Sequence, residues 1–308
     1  MRPHVELIQQ NDLCWHLAEL PRGDGKVVQR NLCYDEENGA ASTKLRFESG
    51  WTRPAGYHHA DTEWFILNGK AKLGNRTLTD GAYFRAPAGL QIPELSVKEG
   101  TEILLFREYG DWGFSVSGKN RNSFVRRGGN TTSDQAGELT IVETAEMEWT
   151  EKAKENWHGD QKGMKQADLR HKWLFRDPAP EKDPKKGFGT FLCWAPPGWN
   201  EHQLMHHPVF EEAYTVDGKM DYNFGQLLPG TYFFRPAMVK HGHFIAGEEK
   251  GTILLIRVDG QLINWASINA SVTVKADAVN YDPETQGPVM AGLPVRSKST
   301  GPWDGTGW

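Results

Sequence analysis

The second half of the chain concentrates side chains that bind metal ions. Five of the eleven histidines fall between residues 202 and 243, where a pair of glutamates also lies, and the whole set comprises His202, His206, His207, Glu211, Glu212, His241 and His243. Neutral imidazole nitrogens and carboxylate oxygens are typical ligands of Fe(II), Mn(II), Ni(II), Cu(II) and Zn(II). The cluster predicts one divalent metal site; the alternative is that the histidines pack or hydrogen-bond within a polar core.

These residues lie in one copy of an internal repeat, whose two copies are about 149 residues apart. Four blocks match in the same order, namely Gly50-Trp51 with Gly198-Trp199, Asn68-Gly69-Lys70 with Asp217-Gly218-Lys219, residues 80–87 with 229–236, and residues 100–107 with 251–257. Four matches in one order are hard to obtain by chance. We therefore interpret the chain as a duplication.

Both copies consist of short β-branched or aromatic stretches separated by Gly or Pro turns. Turns that recur about every 8–12 residues are typical of an all-β sandwich or barrel. Asn68-Gly69 and Asp217-Gly218 predict tight hairpin turns, because type I′ turns need a positive φ at both central residues. The predicted fold class is all-β, with strands positioning the histidines and glutamates.

The repeat and the composition of the connecting segments divide the chain. We predict a first barrel over residues 1–125, a linker over 126–137, a second barrel over 138–275 and an extended C-terminal tail over 276–308. The linker and tail are rich in small, polar, Gly or Pro residues, which favour irregular structure. The charged stretch 143–170 is the best helical candidate, interpreted as an insertion with one short helix.

The order of these features resembles the cupins. Their first motif is G-x5-H-x-H-x(3,4)-E-x6-G and their second is G-x5-P-x-G-x2-H-x3-N, and the resemblance covers most of residues 40–110 and 190–257. In that family the histidines and glutamate of these motifs bind one divalent metal ion inside the barrel. The resemblance implies two tandem cupin barrels, that is, double-stranded β-helix or jelly-roll barrels, with the metal in the second.

One register of the motif leaves a ligand position empty. Counting from Gly198 places the first histidine position on Leu204, the second on His206 and the glutamate on Glu211. In the second motif, His241 falls on the position of the metal ligand. Three of the four ligand positions are thus filled.

A second register is equally open. His207 with Glu211 fits the shorter form of the motif, whereas aligning the two copies by their shared x-Gly-Lys turn pairs His207 with His58 and Glu212 with Glu63. Because strand side chains alternate between faces, a slip of one residue exchanges the set that points inward. The predicted ligands are therefore taken from His206, His207, Glu211, Glu212 and His241.

The first copy retains fewer of the ligand positions. Gly56 stands at the first histidine position, His58 at the second, and Ile92 replaces the histidine of the second motif. Two ligands alone make a weak site. We predict a degenerate first barrel that serves as scaffold, dimer contact or pocket wall; whether its His58, His59 and Glu63 bind anything stays open.

Composition excludes several partners. The 308 residues suggest two domains, and the net charge of −5 argues against nucleic acid or an anionic membrane. No apolar run reaches the roughly 18 residues of a membrane-spanning helix, and the N-terminus lacks the apolar region of a secretory signal. Three widely separated cysteines, Cys14, Cys33 and Cys193, suit neither a disulfide framework nor a zinc clip. We expect a cytoplasmic protein.

The Glu-Glu pair and the Gly-Thr-Tyr-x-x-x-Pro segment of the second copy most resemble the anti-sigma-factor-type cupins and small diketone or hydroxyketone dioxygenases. That resemblance implies a dioxygenase with Fe(II), favoured over Mn(II), Ni(II), Cu(II) or Zn(II), acting on a small aromatic or dicarbonyl compound. His202 or His243 is the acid–base candidate, and a homodimer is the implied assembly. Because cupins are functionally diverse, a non-oxidative isomerase or lyase and a non-catalytic metal or ligand sensor are the alternatives.

Overall fold

The computed structural model describes most of both copies, namely residues 2–108, 111–116, 123–126, 129–132, 137–151, 157–158, 169–177, 188–266, 279–280 and 295–296. These residues form strands and two short 3-10 helices, Gln10–Asp12 and Thr144–Glu146, with no α-helix among them. No helix in this part of the chain has the length and hydropathy that crossing a membrane requires. The predicted all-β class is confirmed. Most of the predicted linker, tail and helical insertion lies outside the described residues.

Contacts divide the chain into two compact units. The first is Cys14–Met147, and the second joins Arg2–Leu13 to Glu148–Trp308. The division differs from the predicted boundaries at the N-terminus, because strand β1 (Val5–Gln9) pairs with strand Thr231–Arg235 of the second unit. A five-residue strand carries no signal in its sequence for so distant a partner.

The first unit contains a seven-stranded and a four-stranded antiparallel sheet, together with two isolated strand pairs. Its strands are β2 His16–Leu17, β3 Val27–Tyr34, β4 Ala41–Phe47, β5 Trp51–Arg53, β6 Tyr57–His58, β7 Thr62–Asn68, β8 Ala71–Leu73, β9 Arg76–Leu78, β10 Ala82–Ala86, β11 Leu95–Val97, β12 Glu102–Arg107, β13 Phe114–Ser115, β14 Ser123–Arg126, β15 Gly129–Thr132 and β16 Thr140–Glu143. The large sheet runs β16-β10-β7-β12-β4-β3-β2 and the small sheet β5-β11-β8-β9. Their facing sides enclose a core in which Phe47 contacts Trp51, with ring centroids 5.5 Å apart, and Trp64 stacks on Phe84.

The second unit contains a nine-stranded and a six-stranded sheet. Its strands are β1, β17 Thr150–Glu151, β18 Trp157–His158, β19 Arg170–Arg176, β20 Gly189–Ala195, β21 Asn200–His206, β22 Glu211–Gly218, β23 Met220–Tyr222, β24 Gly225–Leu227, β25 Thr231–Arg235, β26 His241–Ala246, β27 Thr252–Val258, β28 Asn264–Ala266, β29 Val279–Asn280 and β30 Val295–Arg296. The sheets run β17-β19-β20-β27-β22-β25-β1-β30-β29 and β18-β28-β21-β26-β23-β24. Phe191 and Phe233 of the large sheet share one core with Met205 and Phe244 of the small sheet.

The repeat in the sequence is also a repeat in topology. The order β10-β7-β12-β4-β3 of the first unit matches β25-β22-β27-β20-β19 of the second, and β5-β11-β8-β9 matches β21-β26-β23-β24. Gly69 and Gly218 have positive φ angles of 105° and 79°. The predicted hairpins are nevertheless wrong, because β7 and β22 do not pair with the strands that follow them, β8 and β23, which lie in the other sheet of each unit. In each unit the two sheets form the walls of a jelly-roll barrel.

In each large sheet, one strand comes from the opposite half of the sequence. Strand β16, which precedes the second copy, pairs with β10 of the first unit, whereas β1, which precedes the first copy, pairs with β25 of the second unit. Each of these strands is followed directly by one of the two 3-10 helices. The copies of the repeat therefore exchange their first strands, which explains the shifted boundary.

Candidate metal centre

Three potential metal ligands converge at one end of the second barrel. His207 directly follows β21, Glu211 begins β22 and His241 begins β26. The Nε2 atoms of the two histidines are 3.1 Å apart, and the Glu211 Oε2 atom lies 3.7 Å from that of His207 and 3.5 Å from that of His241. All three side chains are buried. Among the described residues this is the one group of three such ligands.

The far nitrogen of each imidazole is held by a backbone carbonyl. His207 Nδ1 donates to the oxygen of Ile263 over 3.3 Å, and His241 Nδ1 donates to the oxygen of Val239 over 2.9 Å. Since a carbonyl oxygen only accepts, each Nδ1 carries the proton and each Nε2 presents its lone pair. A metal-bound histidine commonly donates its other ring N–H in this way.

The donor set fits a metal ion. Two imidazole lone pairs and a carboxylate oxygen face one another, an arrangement that is unfavourable unless a cation lies between them. The circle through the three donor atoms has a radius of about 2 Å, which agrees with metal–nitrogen and metal–oxygen bonds of about 2.0–2.2 Å. His207, Glu211 and His241 could therefore hold one divalent ion.

The electrostatic setting keeps His241 neutral. Burial lowers its pKa well below the ordinary value, and the nearby Arg235 cation and His207 lower it further. A neutral imidazole is the form that binds metals, so no proton has to be displaced from Nε2 at neutral pH.

Arg235 connects the site to strand β1. Its Nη1 donates to Glu211 Oε2 over 3.0 Å, while Nε and Nη2 donate to the two carboxylate oxygens of Glu6 over 2.6 and 3.2 Å. Glu6 also accepts from the Tyr222 hydroxyl over 2.6 Å and bonds His4 Nε2 over 2.9 Å. All of these partners except His4 are buried. Arg235 is therefore a buried ion-pair partner of both carboxylates.

Glu212 is not part of the donor group, and its prediction as a ligand is corrected. Neighbouring residues of a strand point to opposite faces, so Glu212 faces away from Glu211. Its carboxylate pairs with Arg257 and Arg2 and accepts from the Tyr232 hydroxyl over 2.7 Å. The first barrel repeats this hydrogen bond between Tyr83 and Glu63, at 2.9 Å. Alignment of the two copies therefore identified a shared structural pair instead of a metal ligand.

His206 also lies outside the donor group, although it precedes His207. It ends β21, and its ring packs edge-on against Trp265 with centroids 5.4 Å apart. Burial and the charge of Lys240 lower its pKa. His207 lies two residues after Met205, and both line the cavity, whereas His206 between them does not, as the alternation of side chains along a strand requires.

Of the two predicted acid–base histidines, His243 is not brought to the donor group. His243 has φ 55°, directly after Gly242 with φ 145°, so the normal alternation of β26 is broken there. His243 is half-buried and does not line the cavity beside the ligands. His202 lies within β21, and its side chain lies outside the described part of the structure.

A cavity extends from the ligands into the barrel. Its walls are mainly apolar and aromatic, with side chains that include Phe191, Trp199, Met205, Phe233, Phe244 and Ile256. Four buried polar residues join the ligands on this wall, namely His171, Glu201, Thr252 and Asn264. The Nδ2 atom of Asn264 is buried without a hydrogen-bond partner.

Sequence reasoning missed Glu201, Asn264 and Glu6. Glu201 lies two residues after the repeated Gly-Trp pair, which is a weak positional signal. Asn264 follows a loop in which no motif is visible, and Glu6 reaches the site only because β1 joins the second barrel.

The first barrel lacks the donor group. His58 occupies the place of His207, Thr62 that of Glu211 and Ile92 that of His241, at the spacing of the repeat. His58 Nε2 accepts from Arg53 Nη2 over 3.0 Å, and His59 bonds Asp111 and Ser115. No cluster of three potential ligands occurs among the described residues of this barrel.

We compared the chain with protein-family models, with curated proteins and with solved structures. A family model described as "Domain of unknown function (DUF4437)" matches residues 6–265, whereas no curated protein matches the chain. A crystal structure described as "a putative dioxygenase" from Nostoc punctiforme is similar with a TM-score of 0.63 and 18% identity, covering 87% of this chain and 84% of that chain. The "Putative Glyoxylate Induced Protein" from Pseudomonas aeruginosa is similar with a TM-score of 0.52 and 11% identity, covering 78% of this chain and 83% of that chain. These likenesses support the cupin-type all-β fold that the motifs predict.

Proposed function

The chain belongs to the DUF4437 family, and we propose that it is a metal-dependent cupin enzyme whose ion is held by His207, Glu211 and His241. The observation that carries the proposal is the convergence of two imidazole Nε2 atoms and one carboxylate oxygen on a single point. Backbone carbonyls fix the orientation of both rings, so the donor atoms are in place before an ion binds.

We propose further that the enzyme is a dioxygenase acting on a small aromatic or dicarbonyl compound, with Fe(II) as the favoured ion. An ion held by two histidines and one carboxylate acts as a Lewis acid with positions left open for substrate and, as Fe(II), supports oxygen chemistry. The name of the Nostoc punctiforme structure supports this choice of reaction class. The cavity wall supports the choice of substrate, since Phe191, Phe233 and Phe244 offer an apolar surface to a flat molecule.

The chain's own residues have separate roles in this proposal. Asn264 donates from Nδ2 to an oxygen of the substrate, which satisfies an amide that is otherwise buried without a partner. Glu201 is the proton acceptor on the same wall, the role that the sequence suggested for His202 or His243. Trp199 and the phenylalanines exclude water from the reacting atoms, which strengthens electrostatic interactions there.

Oxygen uptake tests this proposal. Metal-free protein is loaded with Fe(II) without oxygen, and uptake is then measured with a panel of β-diketones, hydroxyketones and catechols. We expect substrate-dependent uptake by the wild type, loss of it in His241→Ala, and its retention in His206→Ala. Absence of uptake with every substrate and with Fe(II), Mn(II), Ni(II), Cu(II) and Zn(II) would contradict the dioxygenase. Turnover of the same panel without oxygen would instead identify a non-oxidative enzyme.

A further inference from the structure

The first barrel has a buried cation where the second has a buried acid. Arg53 pairs across its sheet with Leu95, and Glu201 pairs with Phe244, so both occupy the same position in the small sheet. Each residue follows the repeated Gly-Trp pair by the same interval. Arg53 is 2% exposed and Glu201 is 1% exposed. Each side chain lines the cavity of its own barrel.

Arg53 has no acidic partner among the described residues. Its Nη2 donates to His58 Nε2 over 3.0 Å, its guanidinium lies 4.1 Å from the ring centre of Phe114, and its Nε is buried without a hydrogen-bond partner. Burial lowers its pKa to about 9, with no neighbouring charge acting in the opposite direction. A buried cation is costly unless an anion accompanies it, so this position favours an anionic ligand.

The surroundings of Arg53 add positive charge. Arg107 lines the same cavity, stacks on Trp112 at 3.8 Å and faces Thr62 across neighbouring strands. Burial lowers the pKa of His58 well below the ordinary value, and the charges of Arg53, His59 and Arg107 lower it further. His58 therefore remains neutral and offers no negative charge to either guanidinium.

The cavity beside Arg53 is small, and Leu105 and Trp64 contribute apolar surface to its wall. Asp111 is the one acidic residue on the described wall; it is largely exposed, and its Oδ1 bonds His59 Nδ1 and the Gly113 amide. The space beside Arg53 thus suits a ligand with a negative end and a small apolar body.

We propose that the cavity of the first barrel binds a small organic carboxylate, whose oxygens accept hydrogen bonds from Arg53 and whose apolar part contacts Trp64 and Leu105. A planar guanidinium matches the geometry of a carboxylate. The apolar wall disfavours phosphate, whose oxygens would all require hydrogen-bond donors. At the same position of the repeat, the first barrel thus has the cation Arg53 and the second has the acid Glu201.

Calorimetric titration tests this site. Metal-free protein, dialysed to remove chelator, is titrated with acetate, benzoate and phosphate in a buffer without carboxylates, so that the metal centre contributes no carboxylate binding. We expect saturable binding of acetate or benzoate, weakened about tenfold or more in Arg53→Met because a charged hydrogen bond is lost. The control is Arg46→Met, which removes a guanidinium of the same barrel that stacks on Trp15 but is paired with Glu48.

Equal carboxylate binding by wild type and Arg53→Met would overturn the proposal, as would tighter binding of phosphate than of either carboxylate. If Arg53→Met does not fold, crystals of the unmodified protein soaked in 3-bromopropenoate, whose vinylic bromine is not displaced by thiols or imidazoles in a direct substitution, decide the question. Anomalous bromine density within the first barrel beside Arg53 would support the site, and its absence from that cavity would overturn it. The outcome is independent of the second barrel, because neither measurement requires a bound metal ion.

Discussion

Arg235 and Glu211 face each other across neighbouring strands, and the guanidinium Nη1 donates to the carboxylate Oε2 over 3.0 Å. The other edge of the same guanidinium binds Glu6 on the exchanged strand β1. One buried cation therefore balances two buried carboxylates, one at the metal centre and one in the strand that completes the barrel.

The first prediction concerns this cation. Arg235→Met leaves Glu6 and Glu211 buried without their shared partner, and breaking a buried ion pair in this way costs about 3–5 kcal/mol. We expect the free energy of unfolding of the metal-free protein, measured in urea, to fall by this amount. In the control Lys250→Met, which removes an exposed pair with Asp217, we expect a change below about 1 kcal/mol. Equal effects of the two variants would contradict the assigned role of Arg235.

The second prediction separates the two adjacent glutamates. Glu211→Gln removes a charged donor, so we expect the affinity for a divalent ion to fall about tenfold or more. Glu212→Gln weakens the ion pairs with Arg257 and Arg2 instead, so we expect normal metal content and a lower free energy of unfolding. Metal analysis of both purified variants, together with urea unfolding, is the measurement. Loss of metal from Glu212→Gln with full retention in Glu211→Gln would reverse the assignment.

The third prediction separates the adjacent histidines. His207→Ala and His241→Ala each remove a donor that a backbone carbonyl orients, and we expect the metal content of both purified variants to fall at least about tenfold. His206→Ala is the matched control, because its ring packs on Trp265 outside the donor group. Unchanged metal content in His241→Ala would remove the basis for the proposed centre.

The sequence predicted the fold more fully than the site, for a physical reason. Short strands and glycine turns are local features, and the repeat of the blocks around Gly69 and Gly218 made the two barrels visible. The choice between His206 and His207 depends on which face of β21 points inward, and the sequence fitted both registers of the motif. In the structure His207 faces the cavity together with Met205, two residues earlier.

The pairing of strands that are far apart in the sequence was the second feature that the sequence did not predict. The sequence predicted that each half of the chain forms its own barrel. In the structure, β1 of the first half pairs in the second unit and β16 of the second half pairs in the first unit. The position of β1 brings Glu6 to Arg235. Neither strand contains a motif from which its partner strand could be predicted. The charge reversal between Arg53 and Glu201 could be seen only after the sheets had been aligned.

The last prediction uses this exchanged strand. Burial acts to raise the pKa of Glu6, but Arg235 and His4 outweigh burial and bring it below the ordinary value of 4.5. A carboxylate whose folded pKa is lowered contributes stability above its unfolded pKa and loses that contribution as the pH falls through the folded pKa. Glu6→Gln removes this contribution.

We therefore expect the difference in free energy of unfolding between metal-free wild type and Glu6→Gln to be largest near neutral pH. The difference should begin to shrink below about pH 4.5 and diminish further as the pH falls through the lowered pKa of Glu6, since only the wild type loses the charge of Glu6. Urea unfolding of both proteins across this range measures it, and the exposed Glu249→Gln serves as control. A difference that stays constant or grows with acidity would show that Glu6 is not held ionised by Arg235, and the coupling of β1 to the metal centre would then lack its electrostatic basis.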